Sequence, residues 1–144
     1  MRFIPHVTVA TIVEEQGQFL MVEEYRDGRL VLNQPAGHLE EDESLIQAAR
    51  REVLEETGCT VKITGVVGVY LFKADNGVSY QRSCFVGQLL QQHTDMKLDE
   101  GIVRAPWMSL EDIRARSGDL RSHLVLDCIV DYLNKPHYSL DLFR

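Results

Sequence analysis

Along most of this chain apolar residues either alternate with polar ones or gather in short β-branched runs, and in three stretches the period becomes helical. Residues 6–13 (HVTVATIV) are rich in β-branched side chains. Residues 18–24 (QFLMVEE) follow after a turn at Gln16-Gly17, which predicts a hairpin. A second turn at Asp27-Gly28 leads into a strand over 30–33, and Pro35-Ala36-Gly37 ends that strand in an irregular loop. From 44 to 57 the pattern predicts a helix whose apolar face is Leu45, Ala49 and Val53 with Ile46. Asp42 is placed to cap its start, and Gly58 stands where a left-handed residue is wanted at its end. Residues 61–73 and 79–91 alternate as two long strands about a turn at Ala74-Asp75-Asn76-Gly77, both expected in a central sheet.

Residues 102–108 read as a short strand in which Pro106 favours an edge or a bulge. Ser109 caps a predicted helix over 110–116, and a further helix over 122–133 has apolar residues at 124, 125, 126, 129, 130 and 133. The tail, 136–144, is expected to be loosely attached. The sum is an α/β fold with helices on both faces of a sheet.

Composition narrows the setting. At 144 residues and 44% hydrophobic content, one core and a single domain spanning 1–144 are expected. No window approaches eighteen consecutive apolar residues, and the N-terminal stretch lacks a long apolar region with a small-residue cleavage site. No membrane partner and a cytoplasmic location are therefore expected. Cys59, Cys84 and Cys128 are far apart and odd in number, so they read as buried thiols, not as disulfides or a zinc site. A net charge of −7 argues against adhesion to nucleic acid or an anionic surface, so an anionic substrate would have to be captured through metal.

The chemistry concentrates in residues 37–59, GHLEEDESLIQAARREVLEETGC. On a helix Glu52, Glu55 and Glu56 stand at i, i+3 and i+4, so three carboxylates crowd one face within a turn. Like charges so placed cost a few tenths of a kcal/mol per pair unless a cation sits over them. Magnesium, a hard ion that takes oxygen ligands and is shared between one or two carboxylates and substrate phosphates, suits that arrangement.

This segment resembles the Nudix box, the signature of hydrolases acting on a nucleoside diphosphate linked to another group. Gly37, Glu43, Arg51, Glu52, Glu55, Glu56 and Gly58 match all seven of its invariant identities. Val53 fills one aliphatic position, and Cys59, at the other, is a small apolar departure expected to pack in the core. Seven fixed identities at fixed spacing arise by chance on the order of once in a million chains of this length, which separates the match from an ordinary solvated acidic face.

The resemblance implies a Nudix-like α/β/α sandwich with a mixed central sheet, and Mg2+ as cofactor with Mn2+ able to substitute. It implies Glu52 and Glu56 as principal metal ligands, Glu55 joining through metal or bound water, and the Gly37 carbonyl contributing from the loop. Arg51 is implied to orient the glutamates and Glu43 to anchor the loop and helix start. The general base in such enzymes is either a motif glutamate or a later loop carboxylate. Lys97-Leu98-Asp99-Glu100-Gly101 offers the second, with Glu100 the first candidate and Asp99 the weaker one.

Around the box the sequence leaves alternatives open. His38 either contacts a phosphate or satisfies a loop carbonyl, while His6 reads as structural. Trp107, Phe72, Tyr70 and Tyr80 either stack on a base or pack in the core. Arg82 and Arg26 either meet phosphate oxygens or are simply solvated. The runs PHVTVA at 5–10 and NQPAGHLE at 33–40, with Leu120-Arg121-Ser122, are similar to the NudJ-type phosphatases within the same family. That similarity implies hydrolysis of phosphoanhydride bonds in nucleoside tri- and diphosphates and in related terminal diphosphates such as the thiamine pyrimidine precursor diphosphate, with release of orthophosphate. The alternatives are a hydrolase of nucleotide sugars, dinucleotides or RNA 5′ ends, and a non-catalytic Nudix ligand sensor. The partner expected is a small diphosphate or nucleotide, not nucleic acid, and the protein is expected to be a monomer or homodimer.

Overall fold

The structure is a computed structural model and describes residues 1–144. In chain order the strands are β1 (His6–Glu15), β2 (Gln18–Leu20), β3 (Val22–Arg26), β4 (Arg29–Asn33), β5 (Ala36–His38), β6 (Cys59–Lys73), β7 (Ser79–Gln92), β8 (Ile102–Arg104) and β9 (Trp107–Ser109). The helices are α1 (Leu45–Thr57), α2 (Leu110–Ala115) and α3 (Leu124–Asn134). A six-stranded sheet runs β6-β7-β1-β2-β9 with β5 also on β1, and a three-stranded sheet runs β4-β3-β8. The large sheet is mixed. β1 lies parallel to β7 and antiparallel to β2 and β5, so the sheet expected from the family pattern is the one observed.

Both faces of that sheet are covered, which explains why β1 reads as an almost unbroken apolar run. Val9 and Val13 face α1 and pack with Ala48, Ala49, Val53 and Phe85. Ala10 and Ile12 point the other way and pack with Cys84, Ile113, Val125 and Ile129 beneath α2 and α3. All three thiols are buried and unpaired, and Cys59 packs in the core as expected.

Several local expectations are corrected. The run 18–24 is two strands: β2 stays in the large sheet and β3 leaves for the small one, parted at Met21, whose N–H donates to Pro106 O at 2.9 Å. Residues 102–108 divide in the same way around Pro106 into β8 and β9. Residues 36–38 are a strand on β1, with Thr8 opposite His38 and Ala10 opposite Ala36, not an irregular loop. Asp42 does not cap α1. It lies at φ 63°, and the cap is Ser44, whose hydroxyl accepts from Gln47 N while the Gln47 side chain accepts from Ser44 N. The tail is docked: Tyr138 and Val66 exchange backbone hydrogen bonds of 2.8 and 2.9 Å, and the Phe143 ring lies 5.0 Å from that of Phe85.

Candidate active site

Helix α1 ends at Gly58, whose φ of 72° lets its N–H reach back to Leu54 O, as a left-handed cap requires. With its apolar face on β1 and β6, the opposite edge of α1 is turned toward β5, bringing the glutamates to residues 36–38. Glu56 Oε1 accepts from Ala36 N at 2.8 Å. Glu52 lies directly against Gly37. A Cβ there would stand 2.6 Å from Glu52 Oε2 and nearer still to Cδ and Oε1, so only glycine leaves the carboxylate its place.

Arg51 ties this assembly together. Its Nε and Nη2 donate to the two oxygens of Glu43 at 3.0 and 2.6 Å, and Nη2 also donates to His38 O at 3.0 Å. Nη1 donates to Glu52 at 2.8 Å and Glu55 at 3.3 Å. Glu43 in turn accepts from Glu40 N at 2.9 Å, fixing the loop that enters α1. One guanidinium thus bridges Glu52 and Glu55, and its bidentate partner Glu43 also binds the loop backbone.

The loop after β7 closes over the end of α1, since His93 N donates to Gly58 O at 2.8 Å and Asp99 N to Glu55 O at 3.0 Å. In consequence carboxylate oxygens of Glu52, Glu55 and Asp99 all lie within 4.8 Å of one another. Glu100 stands outside this trio and is exposed, and Glu56 turns instead to the backbone of β5. Among the loop acids the structure thus brings together the one the sequence ranks second. Nothing in the sequence announces that docking, because it depends on two backbone hydrogen bonds at the end of a helix.

Electrostatics agree with a cation-binding role. Burial pushes the Glu56 carboxyl up to about 9, against the lowering effect of the Ala36 N–H. Glu52 is raised to about 6 by burial, only partly offset by Arg51. Glu43 is held below the ordinary range by its hydrogen bonds with Arg51. Half-buried carboxyls that resist ionisation when alone are stabilised as carboxylates by a cation. The donor set is all oxygen, which fits a hard divalent ion such as magnesium.

Beside the acids, around β5, lies a cavity of about 440 Å³ reaching from Gly37 and His38 to Phe72, Tyr80 and Arg82. Phe72 and Tyr80 are stacked, with centroids 5.7 Å apart at 22°, and form an aromatic wall. His6 is exposed and pairs with His38 (Nδ1 to Nε2, 3.0 Å), not with the core. The Tyr70 hydroxyl donates to Asp131 at 2.7 Å, and Trp107 packs on the core beneath α1, so neither joins Phe72 and Tyr80 in lining the cavity. Arg26 lines it from β3. Arg82, read in the sequence as either a phosphate ligand or a solvated residue, is only 6% exposed.

A mixed sheet between helices, with a carboxylate-bearing helix packed against the central glycine of a short edge strand, is an α/β/α sandwich with an acidic cluster at its edge. Comparison with known proteins makes this particular: a family model described as the NUDIX domain matches residues 2–127. Phosphatase NudJ of Escherichia coli (strain K12) is 39% identical over 140 residues, covering 97% of this chain and 91% of its own. The solved structure of a NUDIX hydrolase from Nitrosomonas europaea is 46% identical with a TM-score of 0.96, covering 98% of this chain and 97% of that one. The MutT protein from Methanosarcina mazei Go1 is 26% identical with a TM-score of 0.75, over 94% of this chain and 100% of that one. The chain belongs to the Nudix family, as a hydrolase of the NudJ-type phosphatase group. That family generally uses a divalent metal. No helix is long and apolar enough to cross a membrane.

Proposed function

We propose that this protein hydrolyses phosphoanhydride bonds in nucleoside tri- and diphosphates and in related terminal diphosphates, such as the thiamine pyrimidine precursor diphosphate, and releases orthophosphate. The observation behind this reading is the cluster of Glu52, Glu55 and Asp99 oxygens within 4.8 Å, with Glu52 abutting Gly37, a residue that also lines an aromatic and arginine-bearing cavity. A magnesium ion held by Glu52, Glu55 and Glu56 with the Gly37 carbonyl, with manganese able to substitute, would neutralise the diphosphate and polarise its phosphorus–oxygen bonds. The chain's own groups do the rest. Arg51 fixes the glutamates so that no reorganisation is needed when substrate arrives. A loop carboxylate takes the proton from the attacking water, and its contact with the cluster favours Asp99 over Glu100.

The cavity receives the organic group, and the stacked Phe72 and Tyr80 offer a face to any planar ring. Stacking accepts rings broadly, so discrimination among leaving groups is weak and a range of substrates is expected. The test is a metal-dependent phosphate-release screen over nucleotides, nucleotide sugars and the thiamine-precursor diphosphate, with Glu56→Gln as control. Orthophosphate from several compounds, abolished by EDTA and by Glu56→Gln in a folded protein, is expected. Unchanged turnover in Glu56→Gln, or strict preference for a nucleotide sugar, overturns the reading.

A further inference from the structure

Arg82 on β7 has an unusual setting. It lies opposite Thr8 of β1 and Tyr70 of β6, and its side chain extends toward the segment that enters β5. Both of its hydrogen bonds leave from Nη2, to Gln34 Oε1 at 2.7 Å and Asn33 Oδ1 at 3.3 Å, and both partners are neutral amides. Gln34 is 1% exposed, and its own N–H₂ donates to Val125 O, so the amide oxygen is fixed toward the guanidinium. Nε is sealed from solvent without any acceptor. None of the ion pairs in the protein includes Arg82. The two other arginines of the cavity differ in this respect: Arg26 and Arg121 share Glu24 at 3.6 and 3.3 Å.

A guanidinium cannot shed its proton to escape burial, so a buried one without a counter-charge is costly to hold. Such a cost is retained where a ligand supplies the missing charge. Nη1, which has no protein partner and is not sealed, is the end of the group open to the cavity. Asn33 and Gln34, which hold the guanidinium through Nη2, stand four and three residues ahead of Gly37, the residue that both lines this cavity and abuts Glu52.

We propose that Arg82 is a phosphoryl-binding residue: it supplies the counter-charge for the phosphoryl group that joins the diphosphate to the organic part of the substrate. The acidic cluster, through the divalent ion it would hold, is left to engage the distal phosphoryl group, the one released. This rests on the function proposed above and adds a second, metal-independent hold on the substrate. The phosphoryl group held by Arg82 stays with the organic product, so product monophosphate retains an affinity that does not depend on metal.

The experiment measures binding of adenosine monophosphate and of adenosine to the full-length protein in EDTA, for wild type, Arg82→Lys and Arg82→Gln. In wild type the monophosphate is expected to bind about tenfold to a hundredfold more tightly than the nucleoside, the range for a charged hydrogen bond. Arg82→Gln brings that ratio close to one, and Arg82→Lys keeps part of it. In turnover with magnesium, Arg82→Gln raises KM more than it lowers kcat. A bracing arginine would alter the binding of both probes alike, so a wild-type ratio in Arg82→Gln, or a ratio near one in wild type, overturns the proposal. Absence of phosphate release by wild type would sink the hydrolase reading, while the binding ratio would still report on Arg82.

Discussion

Gly37→Ala isolates the geometric requirement of the acidic cluster. Gly37 does not occupy a left-handed conformation, so alanine is tolerated by the backbone, and stiffening the unfolded chain contributes about 0.4–1 kcal/mol of stability. What fails is space. The new Cβ would sit 2.6 Å from Glu52 Oε2, the farthest of three carboxylate atoms, where ordinary contact begins at 3.4 Å. Glu52 must therefore retreat by at least 0.8 Å, the difference of these two distances, while Arg51 Nη1 pulls on its Oε1 from 2.8 Å. A displacement near 1 Å in a positioned group costs on the order of a hundredfold in rate. The assay is orthophosphate release from a nucleoside diphosphate across a magnesium series, with thermal unfolding in parallel. The expected result is a roughly hundredfold loss of kcat/KM, a higher magnesium requirement and an unfolding temperature near that of wild type. Activity within threefold of wild type would refute the claim that Glu52 must stand where only glycine permits it.

The loop acids separate cleanly. Asp99→Asn is expected to lower kcat on the order of a hundredfold and Glu100→Gln by less than about threefold, because only Asp99 reaches Glu52 and Glu55; the reverse order in steady-state kinetics would return the base to Glu100. Glu23, 4% exposed and bonded to Arg104 and Arg116, supplies a pH test. The Arg104 and Arg116 bonds outweigh burial and hold its folded-state carboxyl below the ordinary 4.5. Its contribution to stability is therefore fully present above 4.5 and is lost as pH falls through the folded-state value. Glu23→Gln should cost about 2 kcal/mol at neutral pH and flatten the acid limb below 4.5, read by urea unfolding across pH; an unchanged limb would assign the acid sensitivity to other carboxyls.

The box was legible because its polar identities are fixed by chemistry at fixed spacing along one helix, and the structure gathers Glu52, Glu55 and Arg51 as that spacing requires. The long strands β6 and β7 were legible because their alternation runs far enough to establish a period. Three features were missed. β5 is three residues long with a glycine at its centre, too short for a period, and it exists because β1 offers an edge to pair with. The run 18–24 hides a change of sheet, since burial on both sides of Met21 erases any sign of the break. Ser44 displaced Asp42 as the cap because Gln47 stands three residues on and closes the reciprocal pair, a signal the sequence does contain. Arg82 was unreadable for another reason: its burial depends on α3 covering the same face of the sheet, and Val125 of that helix orients the Gln34 that holds it.

The pleat of β5 accounts for how so short a strand serves two neighbouring sites. Gly37 faces α1, and by lacking a side chain it leaves room for Glu52; Ala36 and His38 face the opposite side, where Ala36 packs beneath α3 and His38 meets His6 and Tyr80 at the cavity rim. Its backbone is fixed from both directions, by the β1 ladder on one side and by Glu56 and Arg51, which bond Ala36 N and His38 O, on the other. A slip of one residue would turn His38 or Ala36 into the space Glu52 occupies and close it. Glu56 and Arg51 therefore clamp the strand beside which Glu52 must fit. The acidic cluster and the cavity must accordingly be preserved or lost together, whichever diphosphate the protein takes.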